Sequence, residues 1–294
     1  MTAPLLGEAR ATHHRFVLGA FEVTSVLDGA GVRDGIHPIF GHDQSKETFA
    51  AYANERHMPA DRYEHSFAPA LVNTGEALVL FDAGLGAMGR EGGAGLLTKR
   101  MAEAGIPAEA VDVVVITHSH PDHIAGLWEG AKPAFPNARY AIGQVEYDGW
   151  SSGEKIPEQR KINRDLFLKL LPPLAHKTTF LQPGDSVVPG ITAVETYGHS
   201  VGHMSFMIES GGKSLFLWGD VANHFVFSVE KPEWGVSFDD LPEEAIATRK
   251  RVLDWAATDQ LDILGFHMPF PALGRVERYG NSFRWVPESY RLKV

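Results

Sequence analysis

One stretch constrains this chain more than any other: Ile116-Thr117-His118-Ser119-His120-Pro121-Asp122-His123-Ile124-Ala125-Gly126. The apolar run Val111–Thr117 that leads into it reads as a strand buried on both faces. Side chains repeat every two residues along an extended strand end, so His118 and His120 point to the same side. Pro121 ends the strand geometry and turns the chain. Asp122 and His123 then offer an oxygen and a nitrogen beside the first pair. Ile124–Glu129 reads as the start of a helix whose N-terminus faces the site. Four metal-capable side chains in this short stretch exceed what one ion needs, which points to two adjacent ions, ~3.5–4 Å apart in such sites.

Further ligands are expected just past later strands, where open sheets collect their sites. His199 follows the strand Ile191–Thr196, Asp220 follows Ser214–Trp218, and His267 follows Asp262–Gly265. An aspartate between two divalent ions can bridge them and offset their repulsion. Nitrogen and oxygen ligands together suit Zn²⁺, and also Mn²⁺, Fe²⁺ or Co²⁺. His203, four residues past His199, reads as structural. His13, His14, His37, His42, His57, His65 and His176 carry no ligand spacing and read as surface or core.

The rest of the chain alternates β-branched runs with turn residues. Phe21–Leu27 reads as a strand closed by Asp28-Gly29, and Ala70–Asn73 and Ala77–Asp82 as a hairpin around Thr74-Gly75-Glu76. Tyr140–Gly143, Thr179–Leu181 and Ser205–Ile208 read as further strands. Ala94–Ala104, Asn163–Leu171 and Leu241–Ala257 read as helices, the last with Asp239 or Asp240 as N-cap and Glu243/Glu244 in its first turn. The polar segment Trp150–Lys161 reads as a surface excursion. Two strand-rich halves, each with helices, predict an α/β (α+β) architecture of two sheets packed face to face with helices outside.

Composition excludes several function classes. The 294 residues include no cysteine, which removes disulfides, thiolate ligands and cysteine nucleophiles. The formal net charge is −10 and no basic run is visible, against a nucleic-acid track and against an anionic membrane surface. No segment has the ~18 uninterrupted apolar residues of a spanning helix. The opening residues lack a basic start followed by a long apolar stretch, so no signal peptide and a cytoplasmic location are expected.

The His-x-His-x-Asp-His run with a distal His, an Asp and a final His resembles the metallo-β-lactamase superfamily. That resemblance implies a four-layer αβ/βα sandwich formed as a single domain over residues 1–294. It also implies a ligand set: His118, His120 and His199 for one ion, Asp122, His123 and His267 for the other, and Asp220 as the bridge. Asp82, in Leu80-Phe81-Asp82-Ala83-Gly84, matches an early strand-end aspartate that supports ligands from behind. The stretch Phe266–Val276, with Phe283-Arg284-Trp285-Val286-Pro287, is similar to methyl parathion hydrolase and its lactonase-like relatives. Glu146-Tyr147-Asp148-Gly149-Trp150 looks similar too, which makes Trp150 a candidate pocket wall, and Phe270, three residues past His267, is a second.

Fold alone does not give substrate. The expected activity is hydrolysis of a small-molecule lactone or carboxylic ester, acyl-homoserine lactones included, by a hydroxide between two ions, with Asp122 and Asp220 as catalytic residues. The alternatives are a phosphotriesterase or arylesterase, and a mononuclear iron persulfide dioxygenase. Quorum-quenching lactonases resembling this fold carry a Tyr three residues after the bridging Asp. Here that position is Asn223, followed by His224, and either could donate a hydrogen bond to substrate. A homodimer is expected from the same relatives.

Overall fold

The computed structural model describes residues 3–5, 7, 9–288 and 291–293. Two seven-stranded sheets dominate it. The first runs His13–Leu18, Phe21–Val26, Ala70–Asn73, Leu78–Phe81, Val113–Ile116, Arg139–Gly143, Thr178–Leu181 in spatial order. Its first four strands pair antiparallel, and the rest join in parallel. The second runs Ser186–Val188, Ile191–Glu195, Met204–Ser210, Lys213–Gly219, Asp262–Gly265, Leu273–Tyr279, Ser282–Pro287, and only Lys213–Gly219 and Asp262–Gly265 pair in parallel.

The period-two side-chain rule decides the layering. Val113 and Val115 face one way and join Phe81, Phe206, Leu217 and Leu264 in a core that holds both sheets together. Val114 and Ile116 face the other way, against Leu97, Met101, Trp150 and Phe167 from the covering helices. A strand buried on both faces must read as an unbroken apolar run, and Val113–Ile116 does. Helix Pro242–Asp259 covers the far side of the second sheet, where Trp255 packs on Phe216 with ring centroids 5.0 Å apart. The result is the expected four-layer sandwich.

A third cluster sits beside these layers. It joins Phe40, Phe49, Tyr63, Phe227 and Trp234. It is built from helix Lys46–Glu55, the hairpin of Gly29–Asp34 with Arg62–Phe67, and the loop before helix Pro242–Asp259. None of these elements has a strong periodic signature, and the sequence reading did not place them.

Two expectations need correction. Ile124–Glu129 is not a helix: Pro121–Ile124 makes one turn, Ala125–Leu127 a 3₁₀ turn, and Trp128–Glu129 a short strand. Gly126 explains the break, because a Cβ there would lie 1.9 Å from the Ala83 carbonyl oxygen. The loop must press on the Ala83-Gly84 backbone, and only glycine allows it. Nor do Asp239 and Asp240 cap the last long helix, whose N-cap position is Leu241 without a side-chain bond. Both aspartates turn inward instead.

Candidate metal centre and cleft

Asp82, His118, Asp220 and His267 each stand just past the last residues of a strand, so that neighbouring strands deliver them to one end of the sandwich. His199 comes from the loop after Ile191–Glu195, and Asp122 and His123 from the turn at Pro121. All seven sequence-predicted ligands meet there. Three groups offer ligand atoms within 4.8 Å of one another: His118 with His120 and His199; His118 with His123 and Asp220; and Asp122 with His123 and His267. Asp220 lies between the outer groups. Its Oδ2 is 3.3 Å from His199 Nε2 and 3.0 Å from His267 Nε2, and its Oδ1 is 3.4 Å from His123 Nε2.

Each imidazole has one nitrogen committed elsewhere, which fixes its free nitrogen. His118 Nδ1 meets Thr117 Oγ1 at 3.1 Å, and His123 Nδ1 meets Asp82 Oδ2 at 2.9 Å. His267 Nδ1 meets the Ser66 carbonyl at 3.0 Å. His199 Nδ1 meets Asp239 Oδ1 at 2.9 Å, and His120 Nε2 meets Asp240 Oδ2 at 3.1 Å. The free nitrogens converge. His118 Nε2, His123 Nε2 and Asp220 Oδ1 are buried with no hydrogen-bond partner. Orphaned polar atoms are costly in an interior unless something binds them. Convergent, pre-oriented and unpartnered imidazoles and a carboxylate fit metal ions.

Charge in the metal-free site follows from this crowding. Burial disfavours a charged His123 and His267, but the Asp82, Asp220 and Asp122 carboxylates outweigh it. His123 is held well above its ordinary value and His267 is raised to about 10. Burial and the neighbouring histidines push His118 far down. Asp122 and Asp220 resist burial because those charged histidines hold them low. Before any ion binds, His267 therefore keeps its proton at neutral pH and His123 is shifted the same way, so an incoming ion must displace protons. Zinc added to chelator-stripped protein in weak buffer is expected to release protons, that of His267 among them. No release, followed with a pH indicator, would mean both imidazoles are already neutral.

Supporting residues account for several other expectations. Asp82 is buried in a left-handed backbone conformation and accepts bonds from Thr117 N–H, Thr117 Oγ1 and His123. His203 is structural as expected: Nδ1 meets Thr196 Oγ1 at 2.9 Å, Nε2 accepts the Asp220 N–H at 3.0 Å, and burial lowers its pKa to about 3. Trp150 is not a pocket wall. It is fully buried, donates Nε1–H to Ser200 Oγ at 2.9 Å, and packs behind His120 with centroids 5.8 Å apart.

A cleft of about 240 Å³ opens on the ligands, walled by Phe40, Tyr63, Phe67 and Phe238 with Arg33, Arg160 and Asn223. Asn223 Nδ2 donates to Asp220 Oδ2 at 2.8 Å, while its Oδ1 is buried with no partner among the described residues. A neighbouring pocket of about 680 Å³ shares Tyr63, His65 and His267, and is lined by His224 and Phe270. His224 Nδ1 accepts the N–H groups of Val226 and Phe227, which leaves its proton on Nε2. His65, read from sequence as surface or core, faces both pockets and is kept neutral by burial, with a pKa near 4.

Sequence reasoning missed four groups behind the ligands: Asp239, Asp240, Arg249 and Glu146. Buried Glu146 accepts the N–H groups of Ser119 and Gly202 and the Ser200 hydroxyl, and so ties the His118–His120 strand end to the His199 loop. Burial raises its pKa to about 7. An acidic residue in an amphipathic stretch carries no local sign of burial, and an Asp-Asp pair before a helix looks like a cap.

The sequence profile of the Metallo-beta-lactamase superfamily matches residues 70–264. The chain belongs to that superfamily. It is 28% identical over 141 residues to the N-acyl homoserine lactonase AiiA of Bacillus thuringiensis subsp. kurstaki, covering 47% of this chain and 48% of AiiA. It thus matches about half the length of such curated relatives. Solved structures align over nearly the whole chain. AidC, a dizinc quorum-quenching lactonase in complex with its product, superposes with a TM-score of 0.88 at 25% identity, covering 95% of this chain and 98% of AidC. The hydrolase AbOPH superposes at 0.86 with 23% identity, covering 97% of this chain and 100% of AbOPH, which speaks to fold alone. Among the described residues no helix is long and apolar enough to cross a membrane.

Proposed function

We propose that this chain is a dinuclear metal-dependent hydrolase of lactones or closely related carboxylic esters, with acyl-homoserine lactones the first substrates to test. One observation carries the reading: two sets of histidine and aspartate ligands meet at a shared buried carboxylate, Asp220, beside a cleft. The likeness to AiiA and AidC favours lactones among the esters. Zinc is the proposed metal. His118, His120 and His199 would hold one ion, Asp122, His123 and His267 the other, with Asp220 between. Bound there, two divalent ions supply a polarised carbonyl and a water acidified toward neutrality.

The chain's own groups do the rest. Asp82, Asp239, Asp240, Thr117 and the Ser66 carbonyl hold the five imidazoles in the ligating orientation. Asp122 is half-buried at the cleft, with Oδ2 3.3 Å from His267 Nε2, and can carry a proton from the attacking water to the leaving alkoxide. The aromatic walls exclude water around the developing charge. The larger pocket suits an apolar acyl tail running past His224 and Phe270.

The aromatic walls also favour a second reading, hydrolysis of aryl esters or aryl phosphotriesters, whose leaving group would stack on Phe40 or Phe238. A mononuclear iron dioxygenase would leave the Asp122 and His267 ligands without a task. The test follows acid release from short- and long-chain lactones with zinc- or manganese-loaded protein. Metal-dependent turnover is expected, with kcat/KM between about 10⁴ and 10⁸ M⁻¹s⁻¹. Absence of turnover on every lactone, with turnover of aryl esters, would replace the first reading by the second.

A further inference from the structure

The two ion sites are not supported alike. His120 and His199, both ligands of the same proposed ion, lean on consecutive aspartates, Asp240 and Asp239. Each aspartate is locked in turn by an arginine. Arg249 Nη2 donates to Asp239 Oδ2 at 2.6 Å, and Arg160 Nε donates to Asp240 Oδ1 at 2.6 Å. Both carboxylates are shut off from solvent. The backbone joins in: Asp240 N–H donates to the His199 carbonyl at 3.0 Å, and Leu241 N–H to the Gly198 carbonyl at 2.9 Å. The opposite site has no such clamp, for His267 rests on a backbone carbonyl and His123 on Asp82.

Arg160 differs from Arg249. Arg249 is fully buried, whereas Arg160 also lines the 240 Å³ cleft. It comes from the polar segment between two helices, and its Nη2 donates to the Phe238 carbonyl. So a residue from outside the sandwich, at the substrate cleft, fixes the carboxylate that fixes His120. With Nε2 held by Asp240, His120 has only Nδ1 left for an ion, and Nδ1 already lies 3.0 Å from His199 Nε2.

We propose that Arg160 and Asp240 form a positioning pair dedicated to one ion site, that of His118, His120 and His199, and leave the Asp122–His123–His267 site untouched. The inference rests on the two-ion reading above. Removing the arginine leaves the Asp240 carboxylate without the bond that fixes its plane, so it can turn, and His120 loses its fixed orientation. Partners behind ligands are worth 10–100-fold in metal affinity.

The experiment measures zinc affinity and stoichiometry by competition with a chromophoric chelator, and the visible spectrum of the cobalt-substituted protein. It compares wild type, Arg160→Ala, Arg160→Lys and the isosteric Asp240→Asn. One of two ions is expected to bind about 10–100-fold more weakly in Arg160→Ala and Asp240→Asn, with the other unchanged. Arg160→Lys should recover part of the loss. Arg164→Ala is the structural control, because Arg164 in the same region bonds the Trp150 and Ser151 carbonyls and, among the described residues, no carboxylate behind a ligand. It should lower the Tm without altering either affinity. Unchanged affinities in Asp240→Asn, or equal weakening of both ions, would overturn the proposal. If Arg160→Ala fails to fold, Asp240→Asn still decides. Wild-type stoichiometry tests the two-ion reading, and the ratio of variant to wild-type affinity tests the pair.

Discussion

Asp220→Ala is expected to lower kcat/KM for the best lactone by about a thousandfold or more, even with metal in excess. Lewis-acid assistance is worth several kcal/mol, and each 1.36 kcal/mol is a factor of ten. Among the described residues, Asp220 is the one side chain within ion-pair distance of His123, His199 and His267 together. Without it, the proposed ions lose a shared ligand and the negative charge that offsets their repulsion. Asp220→Asn keeps the shape and one oxygen but drops the charge, so an intermediate loss is expected. Chelator competition alongside the kinetics separates lost metal from lost chemistry. Retention of activity within tenfold of wild type would remove Asp220 from the bridging role and the two-ion reading with it.

What was legible in the sequence was whatever local geometry dictates. The alternation rule made Val111–Thr117 a doubly buried strand and put His118 and His120 on one side; the structure keeps the strand over Val113–Ile116 and brings the two histidines together. Ligands past strand ends were legible for the same reason, since a strand end fixes where the next residue points. Asp82 was found because it sits at such an end. The failures are all non-local. Asp239 and Asp240 have the chemistry of a helix cap, and only the placement of Arg249, Arg160 and the His199 loop turns them inward. Trp150 was expected at the pocket from the likeness of its segment to methyl parathion hydrolase and its relatives, yet Ser200, fifty residues on, takes its N–H and holds it in the core. The lobe of Phe40, Phe49, Tyr63 and Trp234 is made by aromatic contacts between distant, weakly patterned segments. It supplies two cleft walls that no local pattern announced, Phe40 and Tyr63. Fold and metal ligands thus come from periodicity, and the cleft from long-range packing.

Arg249→Met should be the most damaging change to stability that leaves every proposed ligand in place. The guanidinium is fully buried, pairs with Asp239 Oδ2 at 2.6 Å, and donates to the carbonyls of Val221, Pro232 and Trp234. Methionine fills much of the volume but restores none of these bonds. Removing one partner of a buried pair costs about 3–5 kcal/mol, because the remaining charge stays buried alone. For a chain of this size that corresponds to a Tm fall of roughly 10 °C. The pH dependence identifies the cause. In wild type, burial alone would raise the Asp239 pKa, but the Arg249 charge and the His199 bond hold it below the ordinary 3.8. A depressed folded pKa contributes stability that is full above the unfolded value and is lost as pH falls through the folded one. In Arg249→Met the balance tips toward burial, so the carboxylate opposes folding at neutral pH and protonation relieves it. The Tm gap between variant and wild type, both metal-free, should therefore be widest near pH 7 and narrow toward pH 4. A gap of constant size across that range would assign the loss to packing and the three carbonyl bonds, and remove the buried charge from the explanation.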